Sequence, residues 1–372
     1  MTEGPITEVL IRDLLAQFQD PETGRSITQL GQVHQLKLDG DRLSLTLGLT
    51  THSAPLWNDT RAELIELLHT RFPQLQATVD LAVHERPAEK LGELGLTAKS
   101  VIAVGSGKGG VGKSSIAAYL AYGLHRAGCK VGLMDADVYG PSIPHLVGAS
   151  QTPQIIGDRI QPIVVDGLKV MSMGLLVPAG EAVIWRGPML HMALTQFLRD
   201  TAWGDLDYLI VDMPPGTGDV AISLSQLVPL SGAVVVCTPQ DVALLDATKA
   251  IALFRRVNIE VLGMVENMSF FLCPNCGSRH DIFGSGGAKR KAAESDVPFL
   301  GEVPLSTQLR VLADEGKIGS AFDQASSKLY LEAICYNLAK NIAARRRRQP
   351  AIPQLPLLSQ PAGNVPGDSA EG

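Results

Sequence analysis

The spacing of apolar residues changes twice along the chain, and each change marks a boundary. Residues 7–18 carry apolar positions at helical intervals, and Asp20-Pro21-Glu22-Thr23-Gly24 after them is a turn cluster. Residues 33–38 and 43–49 read as strands joined through Asp39-Gly40, a hairpin signal. Residues 60–71 return to helix and residues 77–83 form a third strand. A small α+β domain is therefore expected over 1–84. A charged, loosely helical linker follows over 85–100.

From Val101 the texture becomes short continuous apolar runs separated by helical segments. The predicted strands are 101–104, 131–134, 170–173, 209–211, 233–236 and 262–265, with a shorter one near 299–300. Uninterrupted apolar strands alternating with helices imply a mostly parallel sheet buried on both faces. The right-handed crossover rule makes it doubly wound, with ligands at the carboxyl ends of the strands. This α/β domain is expected over 101–344. The last segment, 345–372, opens with Arg345-Arg346-Arg347-Arg348 and continues Pro-rich, which predicts a tail that does not fold. The arginine run reads as a solvated helix end favoured by the helix dipole.

Composition narrows the function. Of the 372 residues, 45% are apolar and 19% charged, ordinary globular proportions. A net charge of −6 argues against a nucleic-acid binder, which needs a surplus of Lys and Arg. No apolar stretch is long enough to span a bilayer. Cys129, Cys237 and Cys335 lie in apolar surroundings and read as small buried hydrophobes. The odd total of five cysteines and the lack of a secretory leader predict a reducing, cytoplasmic location.

Chemistry concentrates at the strand ends. Gly107-Lys108-Gly109-Gly110-Val111-Gly112-Lys113-Ser114 satisfies the phosphate-loop pattern, with an apolar strand before it and a helix from Ser115 after it. The glycines let backbone N–H groups converge on phosphate, and the helix N-terminus adds its positive end. Lys113 is placed to reach the β- and γ-phosphates of ATP, and Ser114 to ligate Mg²⁺. Lys108 is not needed for cradling phosphate within one subunit, but a lysine there suits a nucleotide held by a facing subunit. Asp212 ends one strand, near the metal, and Gly216 beyond it is placed to offer its N–H to the γ-phosphate. Asp135 and Asp137 end another strand; one is suited to orienting water and the other to holding the metal.

Cys273-Pro274-Asn275-Cys276-Gly277 is a knuckle able to place two thiolates on one ion, with His280 and Asp281 close by. A redox pair, half a zinc ribbon and half an iron–sulfur site all fit it. Four sulfur ligands are usual, and the chain holds no second cysteine pair. A two-fold dimer would supply the other two from the same loop.

These motifs, with Asp135-Ala136-Asp137-Val138-Tyr139-Gly140-Pro141-Ser142, Ile184-Trp185-Arg186-Gly187-Pro188, Asp212-Met213-Pro214-Pro215-Gly216-Thr217-Gly218-Asp219 and Glu266-Asn267-Met268-Ser269, resemble the Mrp/ApbC-type ATPases. These are iron–sulfur cluster carriers in the deviant P-loop class that includes MinD and ParA. The N-terminal unit is similar to a small domain associated with metal–sulfur assembly. The resemblance implies a P-loop NTPase fold and a homodimer bridged by a [4Fe–4S] cluster. It also implies a donor in the cluster assembly machinery, apo iron–sulfur proteins as recipients, and slow ATP hydrolysis tied to transfer. By the same resemblance Lys108 reaches the partner's nucleotide, Asp137 positions water, Asn267 contacts adenine, and Ser115 completes the phosphate site. Ser114, Asp135 and Asp212 are the expected magnesium ligands, and Cys273 and Cys276 the cluster ligands. One departure stands out: Thr51-His52-Ser53-Ala54-Pro55-Leu56 lacks the cysteine that relatives of the small domain commonly carry. Docking or regulation is expected there rather than thiol chemistry. A MinD-like positioning ATPase and a zinc-clamped, nucleotide-dependent interaction module are the alternatives.

Overall fold

A computed structural model describes residues 6–92, 94–138, 140–176, 187–216 and 218–348. The expectations for the 349–372 tail, for Ile184-Trp185-Arg186, and for Tyr139 and Thr217 fall outside the described residues.

The N-terminal domain follows its sequence pattern closely. Helix α1 (Glu8–Leu15) starts at Thr7, whose hydroxyl accepts from the Leu10 N–H at 3.4 Å. Strands β1 (Val33–Asp39) and β2 (Arg42–Leu49) form the antiparallel hairpin, with Asp39 opposite Arg42. Helix α2 (Trp57–Arg71) then crosses to β3 (Gln76–Val83), which pairs parallel to β2. Leu43, Leu45, Leu47 and Leu49 of β2 bury against Leu64 and Leu68, one turn apart on α2.

The larger domain is built on β4 (Leu96–Ser106), β5 (Val131–Asp135), β6 (Leu168–Ser172), β7 (Leu206–Asp212), β8 (Gly232–Cys237), β9 (Val261–Leu272) and β10 (Phe299–Leu305). They pair in parallel in the order β10-β9-β8-β4-β7-β5-β6, with short antiparallel additions at Ile163–Val165 and Arg279–His280. Alternation along β4 explains the all-apolar strands: Val101 and Ala103 enter the core on one face, Ile102 and Val104 the core on the other. Helices α3 (Lys113–Arg126) and, at the C-terminus, α9 (Lys328–Arg348) cover one face. Helices α4 (Gly187–Asp200), α5 (Gly218–Leu227) and α6 (Asp241–Arg256) cover the other. Helices α7 (Gly287–Glu294) and α8 (Thr307–Asp314) flank β9 and β10.

Two boundaries shift. The described residues of 85–100 are not loosely helical: β4 begins at Leu96, because Leu96 and Ala98 bury in the same core as Val101. The arginine run is the last turn of α9, the helix end expected of it, so the folded domain extends past 344 to Arg348. Its side chains have tertiary partners. Arg345 reaches the Ser231 carbonyl at 3.1 Å and Glu260, and Arg347 pairs with Glu63 of the small domain at 3.2 Å.

The junction between the domains is polar and buried. Lys99 of β4 lies between Glu22 (3.6 Å) and Asp207 (3.0 Å), and Arg86 pairs with Glu22 at 2.5 Å. His52, in the cysteine-free turn Thr51–Leu56, stacks on Tyr208 at 4.4 Å with its Nε2 2.9 Å from Ser100 Oγ. The Tyr208 hydroxyl donates to the His52 carbonyl at 2.8 Å. That turn docks the small domain onto the sheet.

Burial holds the His52 imidazole down to about 4 against an ordinary value near 6.5, so it folds neutral. Between those values the unfolded chain takes up a proton that the folded chain refuses. The His52 contribution is therefore complete above about pH 6.5 and declines as pH falls toward 4. Lowering the pH from 7 to about 4.5 should depress the melting temperature of the native chain more than that of His52→Gln. Scanning calorimetry at both pH values checks this, and equal depressions would remove His52 as the cause.

Candidate functional site

The phosphate loop joins β4 to α3. Gly110 (φ +78°) and Gly112 (φ +79°) take left-handed conformations open to glycine, which turn successive N–H groups inward. Gly107 is needed for a different reason: a Cβ there would lie 2.0 Å from the Asp246 carbonyl oxygen of α6. Lys108, Gly109, Gly110, Gly112, Lys113, Ser114 and Ser115 line a cavity of about 320 Å³, closed by Asp137 and Ser142. Val111 lies beneath it, buried.

Lys113 is only 6% exposed. Its Nζ donates to Asp212 Oδ1 at 2.6 Å and to Ser114 Oγ at 3.2 Å, and Asp137 Oδ2 is 3.7 Å away. Three strand ends thus converge, as the parallel register of β4, β7 and β5 requires, with Asp212 beside Val104 and Asp135. Burial pushes the Asp212 carboxyl up, and the Lys113 ammonium opposes the rise. Its Oδ2 is buried with no hydrogen-bond partner among the described residues. A buried carboxylate oxygen with no partner suits a cation, and together with Ser114 Oγ it fits magnesium.

Two expectations change here. Asp135 does not face the cavity. Its oxygens accept from the Asp137 N–H (3.0 Å), the Ile143 N–H (3.2 Å) and Ser172 Oγ (3.0 Å), and burial beside Asp212 pushes its carboxyl up to about 7. It braces the loop that presents Asp137. Gly216 also turns away: its N–H donates to the Ser106 carbonyl at 2.9 Å, and it lines a separate cavity of about 210 Å³. Pro215 lines the phosphate cavity in its place.

Next to the phosphate cavity, and sharing Ser115 and Leu146 with it, lies a larger cavity of about 690 Å³. Tyr119, Asn267, Met268, Phe271 and Arg310 line it, giving apolar walls with a few polar groups, the usual make-up of a small-molecule site. Asn267 Nδ2 donates to the Val111 carbonyl at 2.9 Å, which ties the wall of the larger cavity to the phosphate loop. Of these residues the sequence pointed only to Asn267 and Ser115. Tyr119 and Arg310 carry no local signal.

The cysteine knuckle begins one residue past β9. The Gly277 N–H closes the turn on the Cys273 carbonyl at 2.8 Å, and the Cys273 N–H donates to the Ser278 carbonyl at 2.9 Å. Cys273 is half-buried and Cys276 exposed. Cys276 Sγ lies 2.9 Å from Ser278 Oγ, and that hydrogen bond draws the thiol below its usual value, favouring the thiolate that binds metal. His280 Nε2 is 3.0 Å from the same Ser278 hydroxyl. Among the described residues no group of three or more His, Cys, Asp or Glu gathers around one point. By contrast Cys129, Cys237 and Cys335 are buried, and burial pushes each thiol up.

A parallel sheet in this order, a phosphate loop at its carboxyl edge and a lysine–aspartate centre define a P-loop nucleotide-binding protein. Residues 97–343 match the family model described as NUBPL iron-transfer P-loop NTPase, of the ParA group, and residues 8–79 match that of an iron-sulfur cluster assembly protein. The chain belongs to the NUBPL-type iron-transfer P-loop NTPases. The iron-sulfur cluster carrier protein of Deinococcus radiodurans is 44% identical over 361 residues, covering 95% of this chain and 100% of that one. The protein of the same description from Escherichia coli K12 is 44% identical over 313 residues, covering 82% and 84%. Among solved structures, a nucleotide-binding protein from Archaeoglobus fulgidus in complex with ADP is 40% identical, with a TM-score of 0.54, covering 60% of this chain and 88% of that one. Among the described residues no helix is long and apolar enough to cross a membrane.

Proposed function

We propose that the protein is an ATP-dependent iron–sulfur cluster carrier of the cytoplasm. Two copies hold a [4Fe–4S] cluster between their cysteine knuckles, receive it from the assembly machinery and deliver it to apoproteins. The observation that carries this reading is the placement of Cys273 and Cys276. They form an accessible thiol pair, with one thiol eased toward thiolate, at the end of the strand that lines the nucleotide cavity. Two ligands per chain on an exposed turn suit a cargo that must leave, and a second copy completes the usual four.

Each residue at the nucleotide has a defined task. Lys113 neutralises the β- and γ-phosphate oxygens while the loop N–H groups from Gly107 to Ser115 hold them. Bound Mg²⁺ would supply charge neutralisation at the phosphates, held by Ser114 and Asp212. Asp137, braced by Asp135, orients the attacking water. Asn267 meets the base edge, and Lys108 reaches across to the nucleotide of the partner copy. Hydrolysis is slow and serves cluster exchange rather than turnover.

Anaerobic reconstitution with iron and sulfide tests the reading. About four irons and four sulfides per dimer are expected, with the Mössbauer signature of a [4Fe–4S] centre and transfer to an apo-ferredoxin. Tightly bound zinc that iron does not displace would sink it, and would favour the zinc-clamped interaction module.

A further inference from the structure

Strand β9 carries both sites, but not as one regular ladder. Its register against β10 shifts between Asn267 and Phe271, and Met268 sits at φ +54°, a region long side chains rarely occupy. Beyond this irregularity a chain of side chains ties the knuckle to the sheet. Glu266, fully buried, accepts from the Ala288 N–H at 2.6 Å. Ser269 Oγ lies 2.5 Å from Glu266 Oε1 and 3.1 Å from Glu302 Oε2. Glu302 in turn takes both terminal nitrogens of Arg279, at 2.8 and 3.2 Å. The Arg279 guanidinium lies 3.9 Å from the Phe270 ring centroid, and its Nε donates to Asp281 at 3.0 Å. Arg279 and His280 pair antiparallel with Leu272 and Phe271, closing the loop that holds both thiols.

Two features make this a coupling element. Ser269 has one hydroxyl proton and two carboxylates within reach, so it is shared between Glu266 and Glu302 and links the buried end of β9 to β10. At the other end, Asn267 is bonded to the phosphate loop, and Phe271 lines both the 690 Å³ cavity and a neighbouring one of about 670 Å³ bounded by Cys273.

We propose that Arg279 and Glu302 form a strut that couples nucleotide occupancy at Asn267 to the exposure of the Cys273/Cys276 pair. They are positioning residues and do not touch the nucleotide. The strut stands on geometry, but its use in releasing cargo rests on the carrier reading above.

The test uses the full-length, metal-free chain. Iodoacetamide labelling of Cys273 and Cys276 is followed by mass spectrometry, with and without a saturating non-hydrolysable ATP analogue and Mg²⁺. Buried Cys129, Cys237 and Cys335 serve as internal references. In the native chain the analogue should change the labelling rate by about fivefold or more. Arg279→Ala and Glu302→Gln should each return that ratio to about one while still binding the analogue. Arg279→Lys, which keeps the charge but not the fork, should retain part of it. A native ratio of one, or a ratio that survives in Arg279→Ala and Glu302→Gln, overturns the strut. Iron loading of the native chain, measured in parallel, separates the two ideas. A coupled chain that holds no cluster defeats the carrier reading alone, and a loaded chain with a ratio of one defeats the strut alone.

Discussion

Replacing Cys273 or Cys276 with alanine should take cluster iron from about four per dimer to none, while ATP hydrolysis continues. The effect is expected to be all-or-none because symmetry doubles it. In the proposed dimer one substitution in the chain would remove two of the four sulfur ligands, leaving too few to hold a cubane against solvent and free thiols. No nearby side chain can substitute, since among the described residues no third metal ligand joins the pair. Folding should be untouched: the turn is held by backbone hydrogen bonds from the Gly277 and Cys273 N–H groups, neither of which involves a sulfur. The measurement is iron, sulfide and visible absorption after anaerobic reconstitution, beside phosphate release. A variant that retains most of its iron would move the cluster elsewhere in the molecule.

Lys113→Ala should weaken ATP binding and hydrolysis by about two orders of magnitude or more, the scale of losing one fixed charge from a transition-state cradle. Its Nζ is the cation closest to Asp212, and Asp137 faces it as well. Without it the incoming phosphates meet two carboxylates with no ammonium between them. Removing one partner of a buried pair costs roughly 3–5 kcal/mol when the other stays charged. Asp212 avoids part of this by protonating, since burial already raises its carboxyl. Calorimetric titration and phosphate release check the result, and a variant hydrolysing at the native rate would remove Lys113 from the site. Mixing the variant with Lys108→Ala chains tests the second lysine. Mixed dimers have one intact Lys113 site facing an intact Lys108, so hydrolysis should reappear on mixing; none reappearing would place Lys108 in its own subunit's site.

The sequence was most legible where chemistry is local. The phosphate loop could be read from eight consecutive residues, because a strand, a glycine turn and a helix N-terminus are contiguous by necessity. The same holds for the knuckle and for Asp212 at the end of an apolar run. The apolar strands could be read for a related reason, since burial on both faces leaves a continuous hydrophobic run. Reading failed where a residue's role depends on partners far along the chain. Asp135 and Asp137 look equivalent in sequence, yet Ser172, 37 residues on, captures Asp135 and leaves Asp137 toward the cavity. Gly216 was expected to offer its N–H to the γ-phosphate, but a carbonyl of β4 holds that N–H.

Helix, strand and phosphate-binding capacity were thus settled by residue pattern, because backbone preference and hydrophobic period act over a few neighbours. Tertiary structure alone decided the domain junction and the strut. Lys99 meets Asp207, and Arg279 meets Glu302, only because the sheet order brings their strands together. An ion pair has no periodicity, so no local pattern announces it. Its partners are selected by topology, and its strength by how far the fold removes them from water.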